Sequence, residues 1–536
     1  MSLSCNFKHV FRLAPLVLGL TLAAGAADAQ PTPAGVTPQK GGTLIMIYPQ
    51  DPTSVNPALS TIPVDQNIGC IVYQGLVQVD LDYKVQPQLA KSWTVSPDGK
   101  TYTFQLRQAK WHDGKPFTSE DVKYSLLEIN AKFSAVYRAA ADRIESVEAP
   151  TPDSVVIKMK EPFGPLMISL SCDRGGAIMP AHVYRGTDVR ANPATTDTPI
   201  GTGAFKLVER KRNDYVRLTK NPDYWLEGRP YLDEIIVRTV TNATSRVQAV
   251  ASGEADEVPG FPLSSRSAIL ANPKLKIVES DTDSVNIMFF NMARKPLDNK
   301  KVRHALAMAT DREYFMKNAF FEVGSAPKNP ITTEIPWLEN PKVDLAKMYP
   351  FNIAKANALL DEAGLKRGPD GKRFPLKIVA YSNTYPELLQ IASALKSMWG
   401  EIGVDVTTQP VETAALTKQV FEDRDFDVHM NAYGSYSDPA LGIARDYITT
   451  KGYVPNGNPT GYSNPEVDEL FRKGELGTTV AERAPHYHRI QEIIAEDMPA
   501  FTLRQFKTLD VMNKKLWNVH GIAQGTGRYD EAWMEK

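Results

Sequence analysis

Apolar and polar positions alternate most regularly along Thr101-Tyr102-Thr103-Phe104-Gln105-Leu106-Arg107. This period-two spacing predicts a strand with Tyr102, Phe104 and Leu106 on one face. Pro97-Asp98-Gly99-Lys100 just before it has tight-turn chemistry, because Asp and Gly tolerate left-handed backbone angles. His112-Asp113-Gly114 supplies a second turn, and His112 is expected to be a solvated turn histidine. The apolar run from Gly41 to Tyr48 predicts the first ordered strand. Helices show by their ends. Thr118-Ser119-Glu120-Asp121 resembles a capping box opening a helix through about Asn130. Asp298 is placed to cap a helix with Val302, Ala305, Leu306 and Ala309 at core spacing. The helix Ala354 to Ala363 ends at Gly364, and Asn464-Pro465 opens another. Strands and helices alternate along the whole length without internal repeats, which predicts an α/β protein.

A different pattern occupies the first residues. Lys8 and Arg12 precede the apolar run Leu13 to Ala24, and small residues end in Ala27-Asp28-Ala29. A basic start, a short apolar core and an A-x-A tripeptide form a secretory signal, residues 1–29, cleaved before Gln30. The run is shorter than the about 20 residues a membrane span needs. No Cys follows it, so no lipid anchor is expected. Residues 30–40 carry Pro31, Pro33, Gly35 and Pro38 and read as a flexible leader.

Composition adds limits. The 536 residues exceed what one core usually supports, so two or three domains are expected. Mean hydropathy is -0.30, with 42% hydrophobic and 23% charged residues, as in ordinary globular proteins. Lys and Arg number 61 against 62 Asp and Glu. This even balance offers no basic field for nucleic acid or an anionic membrane surface. Cys70 and Cys172 remain after signal removal. In an oxidising compartment they either pair or stay as separate buried thiols, and their spacing leaves both open.

Several blocks in register now carry a resemblance. They are Tyr73-Gln74-Gly75-Leu76, Leu89-Ala90-Lys91-Ser92-Trp93, the turn and strand Asp98 to Arg107, and Trp111 to Thr118. Pro199 to Phe205, Asn221-Pro222-Asp223-Tyr224-Trp225, Gly253-Glu254-Ala255-Asp256, Pro296 to Ala305 and Arg483 to Pro499 follow. Together they resemble the oligopeptide, dipeptide and nickel class of extracellular solute-binding proteins, family 5, which serve ABC importers. The resemblance implies a two-lobed periplasmic-binding-protein clamp with an additional third domain, closing about a hinge over its ligand. Lobe I would comprise 41–75, 199–292 and 507–536, the extra domain 76–198, and lobe II 293–506. Chain crossings near Asn291 and Gln505 are the candidate hinges.

In the peptide-binding branch of that family, lobe II carries a Trp and, three residues on, an Asp that holds the peptide's α-ammonium group. A spacer and Asp/Glu-Pro follow. Here Asp438-Pro439 sets the register, which places Ser435 at the ammonium position and Ala432 at the Trp position. A serine hydroxyl can hydrogen-bond an ammonium but cannot neutralise it. Tyr433 and Tyr436 either line the pocket or pack beneath the loop, and Asp438 either takes over the charge or serves as a turn residue. On the opposite lobe, Ser60-Thr61-Ile62-Pro63 aligns with the loop that runs beside the bound ligand. The candidate ligand-binding residues are therefore Thr61, Ile62, Pro63, Asn291, Tyr433, Ser435, Tyr436 and Asp438.

No catalytic residue and no cofactor is expected. The chain has no G-x-S-x-G, no phosphate-cradling G-x-x-x-x-G-K-[ST], no H-E-x-x-H and no C-x-x-C. His486 and His488 lie two apart on a predicted helix and cannot share a metal. Asp80-Leu81-Asp82 and Asp281-Thr282-Asp283 resemble calcium loops but lack the glycine at the sixth position. The partners implied are a peptide or small-molecule ligand and an ABC permease with its ATPase subunits. The expected state is a periplasmic monomer without nucleic acid or direct membrane insertion. The same clamp could instead take an opine, oligosaccharide, metal chelate or aromatic acid, or dock on a sensor.

Overall fold

The computed structural model describes residues 32, 35–332, 334–381, 386–450, 457–519 and 529–536. The expected signal, its cleavage point, part of the leader and residues 520–528 of the C-terminal segment lie outside them. The described part of the leader is tied down. Thr32 donates to Asn518 and accepts from the Trp533 indole, and the Lys536 N–H donates to Gln39.

One mixed sheet of ten strands runs through the molecule. Its order is Val404–Val411, Phe374–Tyr381, Val428–Gly434, Leu275–Phe290, Ala500–Asn513, Glu257–Pro259, Thr43–Tyr48, Glu234–Thr239, Tyr215–Lys220 and Phe205–Lys211. The strands Leu275–Phe290 and Ala500–Asn513, of 16 and 14 residues, form its antiparallel centre. Their pairing runs from Leu275 opposite Asn513 to Phe289 opposite Ala500. It breaks register between Asp281 and Val285 and again between Asn286 and Ile287. On either side of this break the sheet is buried between separate apolar cores. One collects Met288, Leu306, Ile378 and Trp399; another collects Leu44, Ile68, Phe205 and Ile235. This arrangement is the two-lobed clamp.

A four-stranded antiparallel sheet stands apart, in the order Ala90–Val95, Thr101–Leu106, Ser154–Met159, Ile144–Thr151. Tyr102, Phe104 and Leu106 point into its core, where they are at most 4% exposed, as their alternation predicts. Trp111 is buried in the same core and Trp93 packs against it, so both rings serve packing. Thr118 and Asp121 close the expected capping box, and the helix continues as a wider π-turn through Asn130. This unit leans on the second lobe through Arg143, which pairs with Glu475, and through the Gly164 N–H, which donates to the Glu475 carbonyl at 2.9 Å.

Two local expectations change. The cap of helix Lys300–Met308 is Asn299, not Asp298; its side chain accepts from the Lys301 N–H. His112 is not solvated. Its Nδ1 accepts from the Gly201 N–H at 3.2 Å, so Nε2 carries the proton donated to the Gly203 carbonyl at 3.0 Å. Burial lowers its pKa to about 4, which keeps it a neutral strut between the extra sheet and the first lobe. Helices Ile353–Glu362 and Pro465–Leu476 form as expected, with Gly364 at φ +81° after the first and Asn464 capping the second.

Candidate cleft between the lobes

A cavity of about 770 Å³ opens between the two lobes. Four short segments and the centre of the sheet wall it, residues 133–136 being one of them. Residues 57–66 lead into helix Pro63–Val72 on the first lobe. The tight turn Cys172–Arg174 and Gly175 come from the chain between helix Pro63–Val72 and strand Phe205–Lys211, with Cys172 packed in the core that holds Leu44 and Ile68. The end of strand Val428–Gly434 and the residues after it come from the second lobe. Thr282, Ser284 and Thr508 of the two long strands form part of the wall.

A disulfide joins two of these walls. Cys70 on helix Pro63–Val72 and Cys172 at the head of the turn are bonded, with Cα atoms 5.9 Å apart. The bond fixes the turn that carries Asp173 and Arg174 against the helix that carries Pro63 and Gln66. Arg174 pairs with Asp173 at 2.9 Å. It also reaches across the cleft, donating Nε and Nη2 to Ser437 Oγ at 3.3 and 2.9 Å.

Ser437 sits in an unusual backbone. Tyr436 and Ser437 both have positive φ, 52° and 65°, a left-handed conformation that costs non-glycine residues roughly 1–2 kcal/mol each. Two groups hold it. The Asp283 carboxylate accepts the Ser437 N–H, and Arg174 clamps the hydroxyl. Gly442 lets the following segment pass against the backbone of Gly434 and Ser435, where a Cβ would collide. Asp283 is thus a buried member of the long strand, not part of a calcium loop. Asp80 likewise caps a hairpin turn, accepting from the Asp82 and Lys84 N–H groups.

Of the residues singled out from sequence, Thr61, Pro63, Tyr433 and Tyr436 line the cleft together, and so does Ala432. The other four do not reach its wall. Ile62 packs against the core of the first lobe. Asn291 is 1% exposed and spends its amide on the carbonyls of Arg424 and Phe426, at 3.1 and 2.8 Å. Ser435 is 1% exposed, with its hydroxyl enclosed and unpartnered. Asp438 is bound by Arg483 through two bonds of 2.6 and 2.7 Å, with both side chains buried. Its charge is spent, and its turn role is visible in the Ala440 N–H it accepts.

Pattern reading missed Asp173, Arg174, Arg445, Tyr381 and Asn431, all on the wall. No motif surrounds any of them. Asn431 donates to the Tyr381 hydroxyl at 3.2 Å, and His429 lies behind it among Phe289, Phe421 and Phe426. Burial lowers the His429 pKa to about 4, so it offers no charge. Among the described residues no cluster of metal-binding side chains occurs, and no helix is long and apolar enough to cross a membrane.

Residues 84–453 match the family profile of the bacterial extracellular solute-binding proteins, family 5. The chain is 30% identical over 459 residues to a Brucella ovis protein assigned to ABC-transporter peptide binding, covering 84% of each. It is 30% identical over 480 residues to the glutathione-binding protein GsiB of Salmonella typhimurium, covering 87% of this chain and 88% of that one. Among solved structures, the oligopeptide-binding protein AppA of Bacillus subtilis, in complex with a nonapeptide, superposes with a TM-score of 0.77 at 26% identity. The match covers 93% of this chain and all of that one. The substrate-binding protein CtaP of Listeria monocytogenes shares the fold at a TM-score of 0.82 and 24% identity, over 93% of this chain and all of that one.

Proposed function

Because the chain belongs to the bacterial extracellular solute-binding proteins of family 5, we propose that it captures a peptide or peptide-like solute between its lobes. It then delivers that solute to an ABC permease, working as a monomer beside the permease's ATPase subunits. The N-terminal signal is removed before Gln30 and the protein acts free in the periplasm, without catalysis. The observation that carries this reading is the cleft itself. Its walls come from both lobes, so a solute touches all of them only when the lobes are closed, and binding favours that form. Residues 41–75, 199–292 and 507–536 are the body expected from sequence, 293–506 the other, with 76–198 appended; a hinge at the register break transfers 287–292 to the second body, whose core holds Met288 and Phe290. The register break at Asp281–Asn286 and its partner residues Arg504–Lys507 is the hinge this reading favours. Gln505 lies within it, opposite Val285, and Asn291 lies beyond it.

Thermal unfolding of residues 30–536 against peptides, sugars and metal chelates tests the proposal. A ligand at a hundred times its Kd adds about 2.7 kcal/mol to the folded state, which reads as a clear rise in Tm. Ordinary di- to pentapeptides should raise Tm little, because no free carboxylate on the described wall meets their ammonium group. A rise of many degrees with a simple tripeptide would overturn that limit. Absence of a rise with every class would overturn the receptor reading.

A further inference from the structure

Charge on the cleft wall is one-sided. The charged side chains lining it, among the described residues, are Asp173, Arg174 and Arg445. The first two offset each other's charge as an ion pair at 2.9 Å, although Asp173 Oδ2 accepts no hydrogen bond, and Arg174 is also engaged by Ser437. Arg445 is different. It rises from the short helix Ala444–Tyr447 and is half-buried. Its guanidinium lies over the rings of Tyr433 and Tyr436, 5.3 and 5.7 Å from their centroids. The Tyr436 hydroxyl bonds to it, and its Nε–H is buried without a partner.

The acid beside it in sequence, Asp446, does not bond to it. Both oxygens of that carboxylate are buried without a hydrogen-bond partner. Burial raises its pKa to about 7, against the pull of Arg445. A guanidinium withdrawn from water is costly unless an anion meets it. Its planar fork of N–H groups matches a carboxylate with two parallel bonds. The aromatic faces beneath it hold the plane in place.

We propose that Arg445 receives a carboxylate of the captured solute, and that this solute carries no free ammonium at the opposite end. The second half follows from Asp173, the one acid on the described wall, being already paired. The ligand class is an organic acid or an N-blocked peptide acid, anchored by its negative end. This inference rests on the receptor reading above and sharpens its substrate class.

The test measures binding of N-acetyl-trialanine, hippurate and glutarate, each beside its neutral amide, with trialanine as the form bearing a free ammonium. At least one acid should bind about ten- to a hundredfold more tightly than its amide, the range of a charge-assisted hydrogen bond. N-acetyl-trialanine should bind more tightly than trialanine. Arg445→Gln should abolish the preference for acid over amide, and Arg445→Lys should restore part of it, since the charge returns without the fork. Equal binding of every acid and its amide overturns the anchor while leaving the receptor reading intact. Tighter binding of trialanine than of its acetylated form overturns the requirement for a blocked amino end. Failure of all these acids and amides, when a sugar or metal chelate does bind, also overturns the anchor. Failure of every solute overturns both readings.

Discussion

Asp438 and Arg445 differ in how far the linear sequence reveals them. Asp438 stands beside a proline in a recognisable register, yet its carboxylate is consumed by Arg483, which also stacks on Trp337 and Tyr487. Arg445 has no neighbours of note in the chain, yet it is the cleft's unsatisfied cation. Linear pattern shows which residue types are present; whether a charge is spent depends on partners 45 positions away, such as Arg483. Thr61, Pro63, Tyr433 and Tyr436 were legible because a family register carried them, and Arg174 was not, because it has none. Two buried acids carry a pH signature of their own. Asp510 and Asp446 are both raised by burial to about 7. Between about pH 4 and 7 the folded protein keeps protons that the unfolded chain releases, so stability falls as pH rises through this window. Below it both states are protonated, and above it the loss is complete. Replacing Asp510 with Asn should flatten the decline by on the order of 2–4 kcal/mol, measured as urea midpoints from pH 4.5 to 8. Parallel profiles for the two proteins would refute the assignment.

At the scale of elements, local signals are legible where one face of an element meets one core. Alternation placed Tyr102, Phe104 and Leu106 inward, and the caps at Thr118 and Asn464 started their helices. The Asp298 expectation missed by one position because Asp and Asn are adjacent there and both can cap. The long strands were harder. Leu275–Phe290 is buried on both sides over much of its length, so its pattern loses the period of two, and its Asp-Thr-Asp stretch looked like a loop. The disulfide was the least legible element, since 102 residues separate its halves and only the fold brings them together. Its removal should be felt at the cleft. Replacing Cys70 and Cys172 with Ser should cost about 2–5 kcal/mol, read from chemical unfolding, and should weaken ligand binding as well. An unchanged affinity would mean that the Cys172–Arg174 turn keeps its place without the bond.

For the whole molecule, the alternation of strands and helices announced the α/β class, and the register of blocks announced the clamp. The position of the cleft wall, drawn from segments as distant as residues 61, 174 and 436, was beyond pattern. Arg174 and Ser437 close that wall from opposite sides. Ser437→Ala removes both bonds and leaves the strained turn to Asp283 alone. The ligand-free protein should then spend more time open, and its radius of gyration in solution scattering should exceed that of the unaltered protein. Identical scattering would show that the contact does not hold the lobes together.

The register break between Asp281 and Asn286 has a mechanical consequence. The halves of the molecule are joined there by a hydrogen-bonded ribbon, not by slack connectors. Such a ribbon resists sliding and stretching but flexes where its ladder is interrupted, so it behaves as a leaf spring with one soft coordinate. In the receptor reading proposed above, bound solute would do work along a single angle, and the permease would need to sense only that angle, whatever chemistry fills the pocket.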